Sequence, residues 1–341
     1  MNLKKYLKVF ITLGLVYFSF NNVYAQSPKK IVFASNNSST EMLQIFVMDE
    51  DGMNKKQLTD LNENCYFPKF SPDGKSVVFN TDQARVYYIA DIDEIDSMPA
   101  KYIFDGTTPA FSPDGSFIIF NSDYEGYLSI YALSLEETEP FRLSSGSYSN
   151  QQVWTSDGTK LVYSGFDESG TKCIYMENLE DTTDNSLKKI SKNSNSNLDP
   201  DVSADGSMFI YASFDQNLNG TIILNEKGKE TSLTKGDSWQ NPVFSPDDNK
   251  IACVRIADDE KIKFYVMSFD GSGKKELAIK GGNIETYTWV DDENILYAAE
   301  TGTASTIGII NISTDKVRVL TNTGININPD IQREYVAEEE N

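Results

Sequence analysis

The hexapeptide "FSPDGK" at Phe70–Lys75 returns as "FSPDGS" at Phe111–Ser116, and this repetition decides the fold. The aspartates of successive copies, Asp73, Asp114, Asp157, Asp205, Asp247 and Asp291, are 41, 43, 48, 42 and 44 residues apart. A unit of nearly constant length that recurs along a chain predicts a repeat architecture. The altered copies, by first residue, are WTSDG (Trp154), VSADG (Val202), FSPDD (Phe244) and WVDDE (Trp289).

Each copy of the signal is followed by three runs rich in β-branched and aromatic residues. After the first copy these runs are KSVVFNT, RVYYIADI and KYIF. The run that ends at the signal supplies a fourth strand, and units of four short strands separated by turn residues are typical of β-propeller blades. No window after the first 25 residues keeps a helical period, so we expect an all-β fold.

The Ser-Pro-Asp-Gly segment predicts a tight hairpin between the first and second strands of each blade. Serine caps its own turn, proline presets φ, and glycine takes the left-handed conformation. We therefore interpret the motif as structural and not as a catalytic serine or aspartate. The aromatic residue before the turn is expected to pack between neighbouring blades; these residues are Phe70, Phe111, Trp154, Phe244 and Trp289.

Both ends of the repeat region are incomplete units. Before the first signal, runs from Lys29, Leu43 and Lys55 correspond to strands two, three and four without a first strand. Near the end, "NINPDIQREYV" from Asn326 corresponds to a first strand with nothing after it. We expect these pieces to form one composite blade, which gives seven blades closed by strands from both termini. The alternative is six blades with one terminal piece packed outside the ring.

The first 25 residues have the pattern of a secretory signal peptide. Three lysines precede an apolar run of 12 residues, Val9–Phe20, which is too short to span a bilayer as a helix. We expect cleavage after Ala25, with a retained anchor as the alternative, and hence a periplasmic or secreted protein. The expected organisation is residues 1–25 as signal peptide, 26–335 as one propeller domain and 336–341 as an acidic tail.

The charge is strongly negative, and cysteines are few. Loss of the signal peptide changes the net charge from −21 to −24, which repels nucleic acid and suits solubility or a basic partner. Cys65, Cys173 and Cys253 lie in apolar strand-like runs, so we interpret them as buried small hydrophobic residues. One disulfide remains an alternative, and the spacing favours no pair.

The chain contains no histidine. Ser-His-Asp and Cys-His catalysis and histidine-ligated metal sites are therefore excluded. Pairs of carboxylates remain possible acids and bases, but the adjacent aspartates Asp258–Asp259 and Asp291–Asp292 fall at predicted turns. We expect a protein without catalysis of its own; a carbohydrate-active propeller that uses channel carboxylates is the alternative.

One segment, "DQNLNGTIILNE" at Asp215–Glu226, matches the calcium-loop pattern letter by letter. Its flanks predict strands instead of the helices of an EF-hand, and Glu226 would lie at the far end of a strand. We favour an ordinary Asn-Gly hairpin turn. A low-affinity Ca²⁺ site formed by Asp215, Asn217 and Asn219 is the alternative.

The loops that lead into the first strands are rich in amides, carboxylates and aromatic residues. In a propeller such loops surround one mouth of the central channel, and this composition suits recognition of peptides or sugars. The alternative is that the loops are merely polar, and that Trp239 and Tyr287 pack between blades. The candidate partner-binding residues are Asn64, Tyr66, Tyr148, Asn150, Asp199, Trp239, Asn241, Glu285 and Tyr287.

The segments "QIFVMDEDGMNKKQLTD" and "PKFSPDGKSVVFNTD" resemble the TolB-type, or WD-like, propeller repeat, and the resemblance extends from Lys29 to about Tyr335. Relatives with this repeat include TolB, a periplasmic partner-binding protein of the Tol–Pal envelope system. Others are peptidases with an α/β-hydrolase domain and oligogalacturonate-lyase-like propellers with histidines. The chain has no G-x-S-x-G motif and no histidine. The resemblance therefore implies a stand-alone exported propeller that binds an envelope protein or peptide, with an oligosaccharide as the alternative ligand.

Overall fold

The computed structural model describes residues 28–37, 41–96, 99–181, 186–257 and 261–333. These residues form seven antiparallel sheets of four strands, and each sheet packs on the next around a closed ring. The prediction of an all-β propeller with seven blades is confirmed, and the six-blade alternative is wrong. The predicted signal peptide and acidic tail lie outside the described residues. Among the described residues there is no helix long and apolar enough to cross a membrane.

Blade 1 has the strand order β28-β1-β2-β3, and each later blade is built from four consecutive strands. In chain order the strands are β1 Lys30–Ser35, β2 Gln44–Asp49, β3 Lys56–Gln57, β4 Cys65–Phe70, β5 Val77–Thr81, β6 Arg85–Ile89, β7 Lys101–Asp105, β8 Thr107–Phe111, β9 Phe117–Ser122, β10 Ser129–Ser134, β11 Phe141–Arg142, β12 Ser147–Trp154, β13 Lys160–Phe166, β14 Lys172–Asn178, β15 Leu187–Lys189, β16 Ser196–Val202, β17 Met208–Phe214, β18 Gly220–Glu226, β19 Lys229–Ser232, β20 Ser238–Phe244, β21 Lys250–Ile256, β22 Ile262–Ser268, β23 Lys275–Glu276, β24 Ile284–Trp289, β25 Asn294–Thr301, β26 Ala304–Asn311, β27 Val317–Val319 and β28 Asn326–Ile331.

The composite blade joins the two ends of the chain, as the sequence predicts. Strand β28 pairs antiparallel with β1, with Ile331 opposite Ile31 and Asn326 opposite Ser35. The Ser35 hydroxyl donates to Asn326 Oδ1 at 2.9 Å. The ring is therefore closed by backbone pairing, in addition to packing between side chains.

The hydrophobic core lies between blades and not within them. Each cluster of buried residues combines strands from two neighbouring blades; Phe70 of blade 2, for example, packs with Val32 and Ile45 of blade 1. Phe111, Phe244 and Trp289 are buried in the same way, and Trp154 is partly buried against the cluster shared by blades 3 and 4. The predicted role of these aromatic residues is confirmed.

The three cysteines are buried and free, as the preferred interpretation predicted. Burial raises the pKa of Cys65 and that of Cys253 to about 12. These thiols are therefore protonated at neutral pH and unsuited to nucleophilic chemistry. The alternative of a disulfide is wrong.

The Ser-Pro-Asp-Gly turns have the predicted geometry. The Ser71 hydroxyl accepts a hydrogen bond from the Ser76 N–H at 2.9 Å and donates to the Asp73 carboxylate at 2.5 Å. Gly74 has a φ of +72°, in the left-handed region. Ser112, Thr155, Ser203 and Ser245 make the same pair of bonds in their own turns. The side chains of the serine and the aspartate in the motif are thus engaged in hydrogen bonds that close the hairpin.

Candidate binding site in the central channel

The innermost strand of every blade is interrupted by a β-bulge. Each of the seven inner strands, β28, β4, β8, β12, β16, β20 and β24, shows a shift in register against its neighbour. A bulge changes the direction in which a side chain points, and bulges occur preferentially next to functional sites.

Six of these bulges contain a residue in the left-handed conformation at the same position of the repeat. These residues, which we call the bulge ring, are Phe67, Thr108, Gln151, Asp199, Asn241 and Asn328, with φ between 48° and 56°. None is a glycine, and such a conformation costs other residues about 1–3 kcal/mol each. Five of the six precede a proline, so the position can be recognised in the sequence.

Members of the bulge ring contact one another across the blades. The Gln151 side-chain amide donates to the Asp199 carboxylate, and the Asp199 N–H donates to Gln151 Oε1 at 3.4 Å. The Asn241 N–H donates to the other Asp199 oxygen at 3.4 Å. The hydroxyl of Tyr287 donates to the Asn241 carbonyl. These contacts form a connected polar lining on the inner strands of blades 4 to 7.

Two aspartates of blade 5 contribute negative charge beside the channel. Burial raises the pKa of Asp199, although the Asn241 N–H and the Gln151 amide oppose the increase. Burial also raises the pKa of Asp201 to about 6, and its carboxylate accepts the Phe244 N–H at 2.7 Å. Both carboxylates are thus held in place by N–H groups of the protein.

A pocket of about 390 Å³ opens between the inner strands of blades 2, 3 and 4. Three members of the bulge ring, Phe67, Thr108 and Gln151, form part of its wall. Its volume lies within the roughly 300–1,000 Å³ of small-molecule sites. The bulge ring and this pocket together form the candidate binding site.

Several residues predicted from the rim loops lie at or near this site. Asp199 and Asn241 belong to the bulge ring, and Tyr287 binds Asn241. Asn150 precedes Gln151 and lines the pocket, where its Oδ1 accepts from Ser164 at 3.0 Å. Glu285 is exposed and lies in the bulge of the blade 7 inner strand, between Ile284 and Thr286, one residue before the position equivalent to the bulge ring.

The other predicted residues are dispersed. Tyr148 is exposed, and its ring lies 6.1 Å from that of Phe166. Tyr66 is half-buried. Asn64 makes two hydrogen bonds of 2.9 Å: its side-chain oxygen accepts from the Leu43 N–H, and its side-chain amide donates to the Asp82 carboxylate. Trp239 is only 6% exposed and packs between blades 5 and 6, as its alternative interpretation stated.

Four members of the bulge ring were not predicted from the sequence: Phe67, Thr108, Gln151 and Asn328. The rim was identified from clusters of polar residues, whereas these positions are defined by the backbone. The useful signal for Phe67 and Thr108 was the residue before a proline, four places ahead of the serine in Ser-Pro-Asp-Gly, whereas Gln151 precedes no proline.

The predicted calcium loop has the geometry of a hairpin that is closed by its own amides. The Asp215 carboxylate accepts the N–H groups of Asn217 and Asn219 at 2.8 and 3.0 Å. Asp167 makes equivalent bonds with Ser169 and Thr171 in blade 4. In the described ranges, no group of three or more Cys, Asp or Glu residues is placed to hold a metal ion. The hairpin agrees with the favoured interpretation of this segment, and calcium binding by Asp215, Asn217 and Asn219 stays an untested alternative.

The fold and the channel together define a β-propeller with a lined central cavity. Residues 25–291 match the family model described as the TolB beta propeller domain, and the chain belongs to this family. No curated protein matches the sequence.

Solved structures show the same fold at low sequence identity. TolB from Acinetobacter baumannii is 17% identical with a TM-score of 0.58, over 89% of this chain and 66% of that one. A puromycin-hydrolyzing peptidase from Mycobacterium tuberculosis is 13% identical with a TM-score of 0.65, over 91% and 54%. An oligogalacturonate lyase in complex with manganese is 12% identical with a TM-score of 0.66, over 82% and 85%. The chain thus spans just under two thirds of that TolB and about half of the peptidase.

Proposed function

We propose that this protein is an exported, TolB-like propeller that binds a protein or peptide partner at one mouth of its channel and has no catalytic activity of its own. We call the face of the propeller on which the chain enters each inner strand the mouth face. In an antiparallel blade this face also presents the hairpins between the second and third strands.

The observation that carries this proposal is a group of exposed apolar side chains on the mouth face of blades 3 to 5. Tyr124, Tyr148, Phe166 and Leu218 are between 39% and 75% exposed. Tyrosine and other aromatic residues are enriched at protein interfaces, where they contribute large contact areas. The rings of Tyr148 and Phe166 lie 6.1 Å apart and form a joint exposed apolar surface, a feature that usually marks an interaction site.

Acidic residues of the same hairpins surround these side chains. Asp123 and Glu125 flank Tyr124, and Glu168 lies in the hairpin that follows Phe166; all three are exposed. With the overall net charge of −21, this arrangement favours a partner segment that carries basic residues beside apolar ones. Binding should therefore weaken as the salt concentration rises.

Absence of catalysis is supported by the composition and by the turns. The sequence has no histidine, and the repeated serines and aspartates are bound within their own hairpins. Export is supported by the pattern of residues 1–25 and places the partner in the periplasm or outside the cell.

A quantitative capture experiment tests this proposal. Residues 26–341 are immobilised, and proteins bound from an envelope extract are measured for the wild type and for the double variant Tyr148→Ala/Phe166→Ala. Tyr102→Ala is the matched control because this tyrosine is similarly exposed but lies on the outer strand β7. We expect the double variant to lose a partner that the control retains. Equal capture by both variants would contradict the proposal.

A further inference from the structure

The pocket between blades 2, 3 and 4 has one apolar side and one amide-rich side. Phe67 is 40% exposed, and its bulged backbone at φ +52° holds it on the channel strand, outside the core between blades. Pro109 and Ala110 continue the apolar side, and Asn121, Gln152 and Thr108 form the polar side.

Two buried carbonyl oxygens of this pocket accept no hydrogen bond from the residues that the structure describes. They are Asn121 Oδ1 and Gln152 Oε1. Asn121 is only 5% exposed. An unsatisfied buried acceptor is costly, so a bound ligand that supplies N–H or O–H donors would be stabilised here.

Both side chains are held in place through Thr108. The Asn121 amide donates to the Thr108 hydroxyl, and the Gln152 amide donates to the Thr108 carbonyl at 3.2 Å. Their NH₂ groups are therefore engaged, which leaves the two carbonyl oxygens as acceptors. The two oxygens are themselves buried, so a ligand reaches them only when the amides rotate about their soft terminal torsions.

The pocket offers no unbalanced charge to a ligand. Its lining contains one ionisable side chain, Lys69, whose ammonium group is paired with Asp330 at 3.0 Å. The nearest carboxylate along the bulge ring, Asp199, is bonded to Gln151 at the edge of the pocket. An uncharged ligand therefore fits better than an anionic one.

We propose that this pocket binds one ring of a neutral saccharide. The apolar face of the ring would lie on Phe67, and hydroxyl groups at its edge would donate to Asn121 Oδ1 and Gln152 Oε1. A saccharide ring supplies several O–H donors along one edge, whereas a peptide backbone brings one carbonyl acceptor for each N–H donor. The pocket shares no residue with the partner surface on the mouth face, and its nearest residue in the chain, Asn150, lies two positions from Tyr148 in the same strand.

The test is ligand-observed NMR with residues 26–341 and defined probes at millimolar concentration: the methyl glycosides of glucose, galactose, mannose and N-acetylglucosamine, with galacturonate as the anionic probe. We expect saturation transfer to at least one neutral glycoside and weaker transfer to galacturonate. Phe67→Ala should weaken binding about tenfold, because the loss of an aromatic contact is worth roughly one order of magnitude. Tyr102→Ala should leave it unchanged.

A second variant tests the polar side of the pocket. Gln152→Leu removes one free acceptor and should also weaken binding, and its melting temperature shows whether the fold is retained. No transfer to any neutral glycoside, or equal transfer with Phe67→Ala and Tyr102→Ala, overturns the proposal. Stronger binding of galacturonate than of the galactoside also overturns it. Partner capture is measured separately with the Tyr148→Ala/Phe166→Ala variant, so the two proposals fail independently.

Discussion

The carboxylate of Asp330 accepts a hydrogen bond from the backbone N–H of Phe70, 260 positions earlier in the chain, at 3.0 Å. The same carboxylate pairs with Lys69 at 3.0 Å. Asp201 occupies the corresponding place in blade 5 and accepts the Phe244 N–H at 2.7 Å. An aspartate two residues beyond the bulge thus joins one inner strand to the next, and in blade 1 this contact joins the end of the chain to its beginning.

Removal of the last strand should open the ring. Deletion of residues 324–341 removes β28, its pairing with β1 and the contacts of Asp330, and it exposes the apolar faces of two blades. We expect a loss of several kcal/mol, because each net hydrogen bond contributes about 1 kcal/mol and buried apolar area is lost as well. Urea denaturation measures this loss.

Deletion of residues 336–341 alone is the control for the truncation. Three of its six residues are glutamates and its only apolar residues are Val336 and Ala337, so we expect the midpoint of unfolding to stay unchanged. Equal stability of the 324–341 deletion and the full chain would show that ring closure by β28 contributes nothing.

Neutralisation of Asp201 should stabilise the protein in a pH-dependent way. Burial raises the pKa of Asp201 to about 6, above the usual value of about 3.9. The folded state therefore binds this proton more tightly than the unfolded state, and the resulting stability is lost as the pH rises through 6. Asp201→Asn keeps an acceptor for Phe244 and should raise the melting temperature more at pH 8 than at pH 5. The difference should be about 1 kcal/mol.

Differential scanning fluorimetry at the two pH values measures this effect. Asp330→Asn is the matched comparison, because it breaks the ion pair with Lys69 and should lower the melting temperature at pH 8. An Asp201→Asn shift of the same size at pH 5 and pH 8 would argue against the assigned pKa.

The fold could be predicted because one physical requirement recurs in every blade. Each unit needs a hairpin turn and an apolar residue, aromatic in five of the seven blades, for the space between blades, so the signal around Phe70 is repeated and recognisable. The composite blade could be predicted as well, since the runs from Lys29 and Asn326 are complementary fragments of one unit.

The site was less predictable, because the direction of a side chain depends on the backbone. Polar loops identified Asp199 and Asn241, but Phe67 lines the channel only because its strand is bulged and its φ is positive. Trp239 shows the opposite case, because packing between blades buries an aromatic residue that the loop composition placed at the rim. Composition indicates which residues are suited to binding, and the bulge decides which of them face the channel.

Replacement of a turn serine should affect stability and leave binding intact. Ser71→Ala removes the acceptor of the Ser76 N–H and the donor to Asp73. Loss of a partner for a buried N–H costs about 1–3 kcal/mol. Chemical denaturation should show this cost, while partner capture per folded molecule stays at the wild-type level. A loss of capture without a loss of stability would instead assign the motif a direct role in binding.

The left-handed conformation of the bulge ring predicts an unusual order of stability at Phe67. Glycine in a strand is normally less stable than alanine by roughly 0.5–1 kcal/mol. At φ +52° the order should reverse, because glycine adopts this conformation without strain and alanine does not. We therefore expect Phe67→Gly to be about 1 kcal/mol more stable than Phe67→Ala. The control pair is Lys101→Gly and Lys101→Ala, because Lys101 is exposed at the start of β7 and has no positive φ. At Lys101 the alanine variant should be the more stable of the two. Urea denaturation of the four variants decides the matter, and the same order at both positions would mean that the inner strand is not strained at Phe67.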